Sequence, residues 1–236
     1  MGAMRETVEQ AGGGQAVFLQ GASGELAPRF HHIGDTDVAD AHGRHLGLAT
    51  LATLAGMEPP GTALAFARAV ESGAPLAAWR REPRPPSAAT RGIVAVRRTV
   101  DLPLKGWPTA AELAAQFAAC TDRPIAERLR RQLRIREVLG DAASFPLELW
   151  GWRLGETVVL GTMTEAYSAI QQDVRAALSG HTVVWLNVVN GWIGYLPPRP
   201  LYDADIYQVW QTPFDRGSLE RVTQAAIDLG RELLGV

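Results

Sequence analysis

Two tyrosines near the C-terminal end, Tyr195 and Tyr207, are the residues whose chemistry is easiest to name. They lie twelve residues apart in the segment NGWIGYLPPRPLYDADIYQVW (190–210), and three prolines stand between them. A phenol, whose free pKa is about 10, ionises at neutral pH only beside a cation, and the neutral phenol donates a hydrogen bond to a developing oxyanion. The residues alone favour two loop aromatics that pack their rings and solvate their hydroxyls.

Glu165, in the segment TMTE (162–165), is a candidate metal ligand. A threonine followed three residues later by glutamate, at the start of a helical pattern, also predicts a capping box between Thr162 and Glu165, worth about 1 kcal/mol. A carboxylate in the first turn of a helix is held anionic by the helix dipole, which suits a metal ligand as well. Both interpretations of Glu165 stay open.

The segment GASGELAPR (21–29) is a candidate binding loop that follows the apolar run AVFL (16–19), a predicted buried strand. Gly21 and Gly24 would let backbone N–H groups turn toward an anionic ligand. In open α/β sheets, ligands gather at the carboxyl ends of strands. The loop lacks the Gly-Lys-Ser/Thr ending of a phosphate loop, so an ordinary turn is the alternative.

Histidine and cysteine give weaker signals. His42 and His45 lie three residues apart on a predicted helix and could face one metal, and two further histidines stand at 31–32. No carboxylate lies at a metalloprotease spacing from them, so surface histidines are the simpler interpretation. Cys120 is the only cysteine, which excludes an internal disulfide and a cysteine-rich metal site.

The basic segment RLRRQLRIRE (128–137) raises the question of nucleic-acid binding. Glutamates flank it, and its helical spacing favours a solvated basic face over a nucleic-acid interface. The net charge of −2 gives the whole chain no general attraction to nucleic acid or to an anionic membrane. No run approaches the roughly 20 apolar residues of a membrane span. The polar start MGAMRETVEQ has no signal-peptide pattern, which favours the cytoplasm.

The elements that would position these residues alternate between strand and helix, which predicts an α/β fold with a mixed sheet flanked by helices. The predicted order after the first strand and loop is helix 37–55, helical piece 62–71, strand 92–104, helices 109–120 and 124–139, hairpin 147–161, helix 163–178, strand 182–190 and helix 217–234. The 236 residues show no internal repeat and no linker. A single domain over 1–236 is therefore expected.

Three segments resemble the neutral (non-lysosomal) ceramidase family and its uncharacterised bacterial relatives. They are VFLQGASGELAPR, GETVVLGTMTEAYSAIQQDVRAAL and NGWIGYLPPRPLYDADIYQVWQTPF, in the family's order. The resemblance covers most of the chain from residue 4 and thins between 56 and 140. It implies an α/β fold equivalent to the C-terminal half of a larger ceramidase-like amidohydrolase domain.

The resemblance also implies roles for individual residues. In that family two histidines, a glutamate and a tyrosine hold a zinc ion, and a tyrosine twelve residues further on stabilises the oxyanion. Glu165 and Tyr195 are then the expected zinc ligands and Tyr207 the expected catalytic residue. The substrate-binding loop would contain Gly21, Gly24 and Ala27.

Two departures from the family pattern qualify this expectation. The family's Gly-Asp-Val-Ser-Pro loop corresponds here to residues 24–28, so the serine associated with catalysis is Ala27. Both family histidines precede that loop. This implies either that they come from a missing N-terminal half or a partner chain, or that this chain no longer binds zinc in that way. A signal peptide could also lie upstream. A half-domain should also expose strand edges and apolar surface, which favours pairing with a partner or a second copy.

The function expected from the resemblance is that of a component of a zinc-dependent amidohydrolase acting on an N-acyl or lipid-like amide. The alternative is a non-catalytic homologue that binds a ligand or a partner chain through the same cleft. Zinc content would separate the two.

Overall fold

The computed structural model describes residues 1–12, 14–84 and 92–236. The chain divides into two compact units: unit 1 comprises Met1–Phe18 and Pro28–Arg91, and unit 2 comprises Leu19–Ala27 and Gly92–Val236. That both units belong to one domain over 1–236 stays a prediction. Within the described residues, no helix is both long and apolar enough to cross a membrane.

Unit 1 contains two packed helices and a hairpin. Its helices are α1 (Gly2–Gly12) and α2 (Thr36–Ala55), and its strands are β1 (Thr62–Glu71) and β2 (Pro75–Pro83). Gly43 and Gly47 are the buried residues of α2 and face α1, and a Cβ added at Gly43 would lie 2.9 Å from the Cβ of Ala3. The two helices therefore pack closely because α2 presents glycines to α1.

Two sequence-based assignments in the N-terminal region are wrong. The run 16–19 forms no regular structure, and Val17 and Leu19 are exposed. A strand needs a hydrogen-bonded neighbour, and none of the described strands pairs with this run. Residues 62–71 form a strand instead of a helix, because the Ala-rich segment pairs antiparallel with β2 along its length.

Unit 2 is built on a mixed four-stranded sheet. The strands are β3 (Ile93–Pro103), β4 (Ser144–Leu154), β5 (Thr157–Thr162) and β7 (Thr182–Leu186), in the order β3-β4-β5-β7. The pairs β3–β4 and β4–β5 are antiparallel, and β5–β7 is parallel. The helices are α3 (Ala110–Ala119), α4 (Arg123–Leu139), α5 (Ser168–Ala177), α6 (Tyr207–Gln211) and α7 (Ser218–Leu234). The predicted α/β class with a mixed sheet is confirmed.

The core of unit 2 lies between this sheet and α7. Leu147 and Leu149 are fully buried on the face of β4 that also carries Gly151. A Cβ on Gly151 would approach the Leu229 and Leu233 side chains to within 2.9 Å, so the glycine lets α7 lie close to the strand. This packing fixes the sheet, and with it the edge at which β5 and β7 end.

Candidate active site

The carboxyl ends of the parallel strands β5 and β7 hold the candidate site. The chain leaving β5 is hydrogen-bonded to the segment that follows β7: the Val189 N–H donates to the Thr162 carbonyl at 2.9 Å. The Glu165 N–H donates to the Gly194 carbonyl, also at 2.9 Å. These bonds create two short parallel strands, β6 (Glu165–Ala166) and β8 (Tyr195–Leu196), in which Glu165 is paired with Tyr195. The fold thus puts a carboxylate and a phenol side by side at the end of the sheet.

The capping-box interpretation of Glu165 is wrong. The Thr162 hydroxyl is buried and hydrogen-bonded to the Thr164 hydroxyl at 2.7 Å, and α5 begins only at Ser168. The Glu165 carboxylate instead accepts a hydrogen bond from the Trp192 indole N–H at 2.6 Å. Because Glu165 lies in a strand and not in a first helical turn, its carboxylate is free of any capping role.

A different glutamate, Glu25, caps helix α5. Both of its carboxylate oxygens accept from the Ser168 N–H, at 3.0 and 2.9 Å, and one accepts from the Ser168 hydroxyl. A carboxylate at a helix N-terminus satisfies an otherwise unpaired donor and interacts favourably with the dipole. Glu25 therefore fixes the loop at 19–27 against the helix that follows the site.

The glycines of that loop pack against the site instead of opening toward solvent. The Gly24 N–H donates to the Ala166 carbonyl at 2.9 Å, so this amide is committed to the fold. Gly21 lies near the Gln171 side chain, and Ala27 is exposed. A substrate-binding role for Gly21, Gly24 and Ala27 stays a prediction.

Tyr195 and Tyr207 converge. Their ring centroids lie 5.6 Å apart in an edge-to-face arrangement. The chain doubles back between them through a 3₁₀ helix, Arg199–Asp203, and Tyr207 starts helix α6. Pro198 precedes the 3₁₀ helix and Pro200 lies at its start, where their fixed φ suits helical backbone.

The two phenols have different electrostatic surroundings. Burial raises the pKa of Tyr195, and the neighbouring charge of Glu165, which also hydrogen-bonds the phenol, raises it further. The hydroxyl oxygen of Tyr207 accepts a hydrogen bond from the Arg131 guanidinium at 2.6 Å. Because Arg131 occupies the oxygen as a donor, the phenolic hydrogen of Tyr207 is available to a ligand.

A cleft of about 480 Å³ opens between α4 and the paired strands. Residues of α4 form one wall and the ends of β6 and β8 form the other. Its lining residues are Glu127, Arg130, Arg131, Arg134, Ile135, Val138, Glu165, Trp192, Ile193 and Tyr195. The basic segment 128–137 was expected to form a solvated face. Its three- and four-residue spacing indicates that several arginines share one face of a helix, but not that this face lies beside the site.

The backbone near the site is strained at Val188. Its φ of 59° lies in the left-handed region, which a β-branched residue rarely adopts. Such residues cost about 1–3 kcal/mol and cluster at functional sites. The turn that contains Val188 brings Trp192 and Tyr195 back toward Glu165.

Four of the five histidines lie in unit 1. His31 and His32 contact each other in unit 1, with ring centroids 4.4 Å apart, and His42 and His45 lie on α2. The described part of the chain contains no group of three or more histidine, cysteine, aspartate or glutamate residues that could hold a metal ion. Glu165 and Tyr195 would therefore offer a metal ion two oxygen ligands, fewer than the four that a structural zinc site uses.

Comparison with solved structures relates this fold to ceramidases. A neutral ceramidase from Pseudomonas aeruginosa aligns with 99% of this chain at a TM-score of 0.57 and 19% sequence identity. The alignment covers 40% of the ceramidase chain, so this chain spans less than half the length of the protein that it matches. The expected likeness to ceramidases is confirmed at the level of the fold. At this identity it establishes no activity.

A second solved structure, described as a ceramidase complexed with C2, aligns with 61% of this chain and 30% of its own at 15% identity. Its TM-score of 0.38 is too low to support an argument. No protein-family model and no curated protein matches the chain.

Proposed function

We propose that this chain is a component of a zinc-dependent amidohydrolase with a ceramidase-like fold, acting on an N-acyl amide. The observation that carries the proposal is the pairing of Glu165 with Tyr195 on adjacent parallel strands, with Tyr207 in ring contact with Tyr195. A carboxylate and a phenol that share one cleft form a donor set suited to a cation of the Zn²⁺ type. The fold likeness to a neutral ceramidase supports the same reading.

The proposed division of roles follows the contacts. Glu165 and Tyr195 hold the metal ion, and Trp192 orients Glu165 through the indole hydrogen bond at 2.6 Å. Tyr207, with its oxygen held by Arg131, donates its hydrogen to the amide oxygen as negative charge develops there. A preorganised donor of this kind contributes about 10²–10³ in rate.

A bound Zn²⁺ would supply a Lewis acid that polarises the amide carbonyl and lowers the pKa of a water molecule. The residues present fit part of its coordination, since only two oxygen ligands converge in the cleft. We propose that the remaining ligands, expected to be two histidines, come from residues outside this chain. A second half or a partner chain is consistent with the coverage of 40% of the matched ceramidase.

Zinc binding through Tyr195 tests this proposal with a spectroscopic signal. Because the raised pKa of Tyr195 keeps its proton on the free protein, coordination must release that proton, and zinc affinity should rise with pH. Titrating the chain with Zn²⁺ should therefore produce the ultraviolet difference spectrum of tyrosinate. The Tyr195→Phe variant should lose this signal.

Tyr202→Phe is the matched control. The pKa of Tyr202 is also raised, mainly by burial, but its hydroxyl bonds the Phe214 carbonyl at 3.2 Å away from the cleft lining. This variant should keep the full tyrosinate signal. A tyrosinate signal that survives in Tyr195→Phe, or zinc binding without any tyrosinate, would refute Tyr195 as a ligand.

Activity on ordinary ceramide should be absent or very weak in the purified chain. Position 27 is alanine and supplies no hydroxyl where the resembling family has its catalysis-associated serine. The measurement is release of fatty acid from a defined ceramide by the zinc-loaded chain, with the protein omitted as blank. Robust turnover would show that Ala27 does not correspond to that serine.

A non-catalytic ligand-binding homologue is the second candidate function. The observation that favours it is the incomplete donor set, since the described residues hold no group of three or more classical metal ligands. A chain that takes up no zinc but still binds an amide in the 480 Å³ cleft would favour this alternative.

A further inference from the structure

The cleft carries more positive than negative charge. Three arginines of α4 face two glutamates in its lining, which leaves one net positive charge. Glu127 is shared by Arg130 and Arg131 through contacts of 2.8 Å. Arg134 makes no hydrogen bond or ion pair with any residue that the structure describes. One guanidinium of the cleft is therefore left for a ligand.

The remaining lining is apolar. Ile135 and Ile193 are buried beneath the cleft, and Val138 and Trp192 are exposed at its side. An apolar surface next to a guanidinium and a carboxylate–phenol pair suits a ligand with hydrocarbon, anionic and amide parts. Burial of the hydrocarbon part would contribute roughly 25 cal/mol per Å².

We propose that the substrate of this site is an N-acyl amino acid, whose carboxylate pairs with Arg134 while its acyl chain lies on the apolar wall. The inference rests on the proposed function for the position of the amide beside Glu165 and Tyr195. One net positive charge matches the single charge of a carboxylate better than a doubly charged phosphate, and the planar guanidinium fork matches a carboxylate in shape.

The reaction on such a substrate balances with water alone. The amide C–N bond breaks, the hydroxyl of water joins the acyl carbon, and its proton goes to the leaving nitrogen. The products are a fatty acid and a free amino acid. No oxidant, reductant or further co-reactant is required.

The competing interpretation is that Arg134 belongs to a solvated basic face and binds no ligand. N-octanoylglycine and its methyl ester separate the two cases, because the ester keeps the acyl chain and the amide and lacks the charge. Binding of each probe to the full chain can be followed by tryptophan fluorescence in zinc-free buffer. Trp192 at the side of the cleft supplies the signal.

We expect the acid to bind about tenfold more tightly than the ester, as a charge-assisted hydrogen bond would give. Arg134→Gln should bring the acid down to the affinity of the ester and leave ester binding unchanged. Arg123→Gln, on the same helix but outside the cleft lining, should behave like the parent chain. Circular dichroism checks that both variants are folded.

Equal binding of acid and ester, undiminished acid binding in Arg134→Gln, or no binding of either probe would each overturn the proposal. These outcomes are independent of zinc. If the tyrosinate signal is absent but the acid preference depends on Arg134, the metal-site proposal fails and the anionic subsite stands. If the tyrosinate signal is present but the acid is not preferred over the ester, the anionic subsite fails and the metal-site proposal stands.

Discussion

Replacing Glu165 with glutamine should lower the zinc affinity of the chain by about 100-fold or more, because a charged ligand becomes a neutral amide. The fold should survive. Glutamine keeps an oxygen that can accept from the Trp192 indole, and the backbone bond from residue 165 to the Gly194 carbonyl is unaffected. The measurement is isothermal calorimetry with Zn²⁺ at fixed pH, accompanied by an unfolding curve.

The same variant should change Tyr195 in the absence of metal. The charge of Glu165 is the second cause, after burial, of the raised pKa of Tyr195. Removing it should lower that pKa, so the phenol ionises at lower pH in a spectrophotometric titration. Because the pKa of Tyr195 is higher in the folded than in the unfolded chain, its contribution to stability is complete below the unfolded pKa and is lost as pH rises from there through the folded pKa. This readout separates loss of a charge from loss of structure.

Glu148→Gln is the matched control for the zinc measurement. Glu148 lies on β4 and pairs with Arg97 at 2.8 Å on the exposed part of the sheet, outside the cleft lining. The zinc affinity of the Glu148→Gln variant should equal that of the parent chain. Parent-like zinc binding in Glu165→Gln would remove Glu165 from the site and leave only the fold likeness.

The four-stranded sheet and the longer helices of unit 2 were predictable because their periods are clear, whereas β6, β8 and α6 were not predicted. The hairpin of β4 and β5 alternates and turns at Gly155-Glu156, and α7 carries an apolar stripe that is buried along its length. The segment 62–71 was not predictable in the same way. Its alanines favour a helix. The segment forms a strand because it pairs with β2, and this pairing is a tertiary contact that the local sequence does not indicate.

The candidate site, like the fold, was predictable from the sequence only in part. The spacing of Tyr195 and Tyr207, together with the resemblance, predicted two phenols in one cleft, and the structure brings the rings into contact. Pattern alone favoured a capping box at Glu165, because Thr-x-x-Glu reads identically in a strand-ending turn and at a helix start. The cap on α5 comes from Glu25, which is 143 residues away in sequence, and no local pattern can report such a contact.

The arginines of α4 show that a charge pattern alone does not identify a functional site. The sequence RLRRQLRIRE predicts a basic helical face correctly. It does not tell which element packs opposite that face. Only the tertiary arrangement, with Tyr207 at 2.6 Å from Arg131 and the β8 strand across the cleft, turns a solvated surface into a wall of the candidate site.

Substituting alanine for Gly24 should damage both stability and zinc binding. A Cβ there would lie 2.5 Å from the Glu165 carbonyl oxygen and 3.1 Å from backbone atoms of Ala166. Backbone atoms of a paired strand cannot move aside as a flexible side chain can, so the strain must displace β6 or the loop. Overpacking of this kind costs about 1–3 kcal/mol. Because β6 carries Glu165, the displacement should weaken zinc binding together with the fold.

Gly106→Ala provides the comparison, since Gly106 lies in unit 2 and a Cβ there would meet nothing within 4 Å. It should be neutral or stabilising by about 0.4–1 kcal/mol through the unfolded chain. Urea unfolding monitored by tryptophan fluorescence measures both variants, and unchanged m-values would show that the shift in midpoint reports stability. If Gly24→Ala unfolded at the midpoint of Gly106→Ala and bound zinc normally, the loop at 19–27 would not be packed against β6 in solution. The position of Glu165 would then be fixed by the pairing of β6 with β8 and by the hydrogen bond from the Trp192 indole.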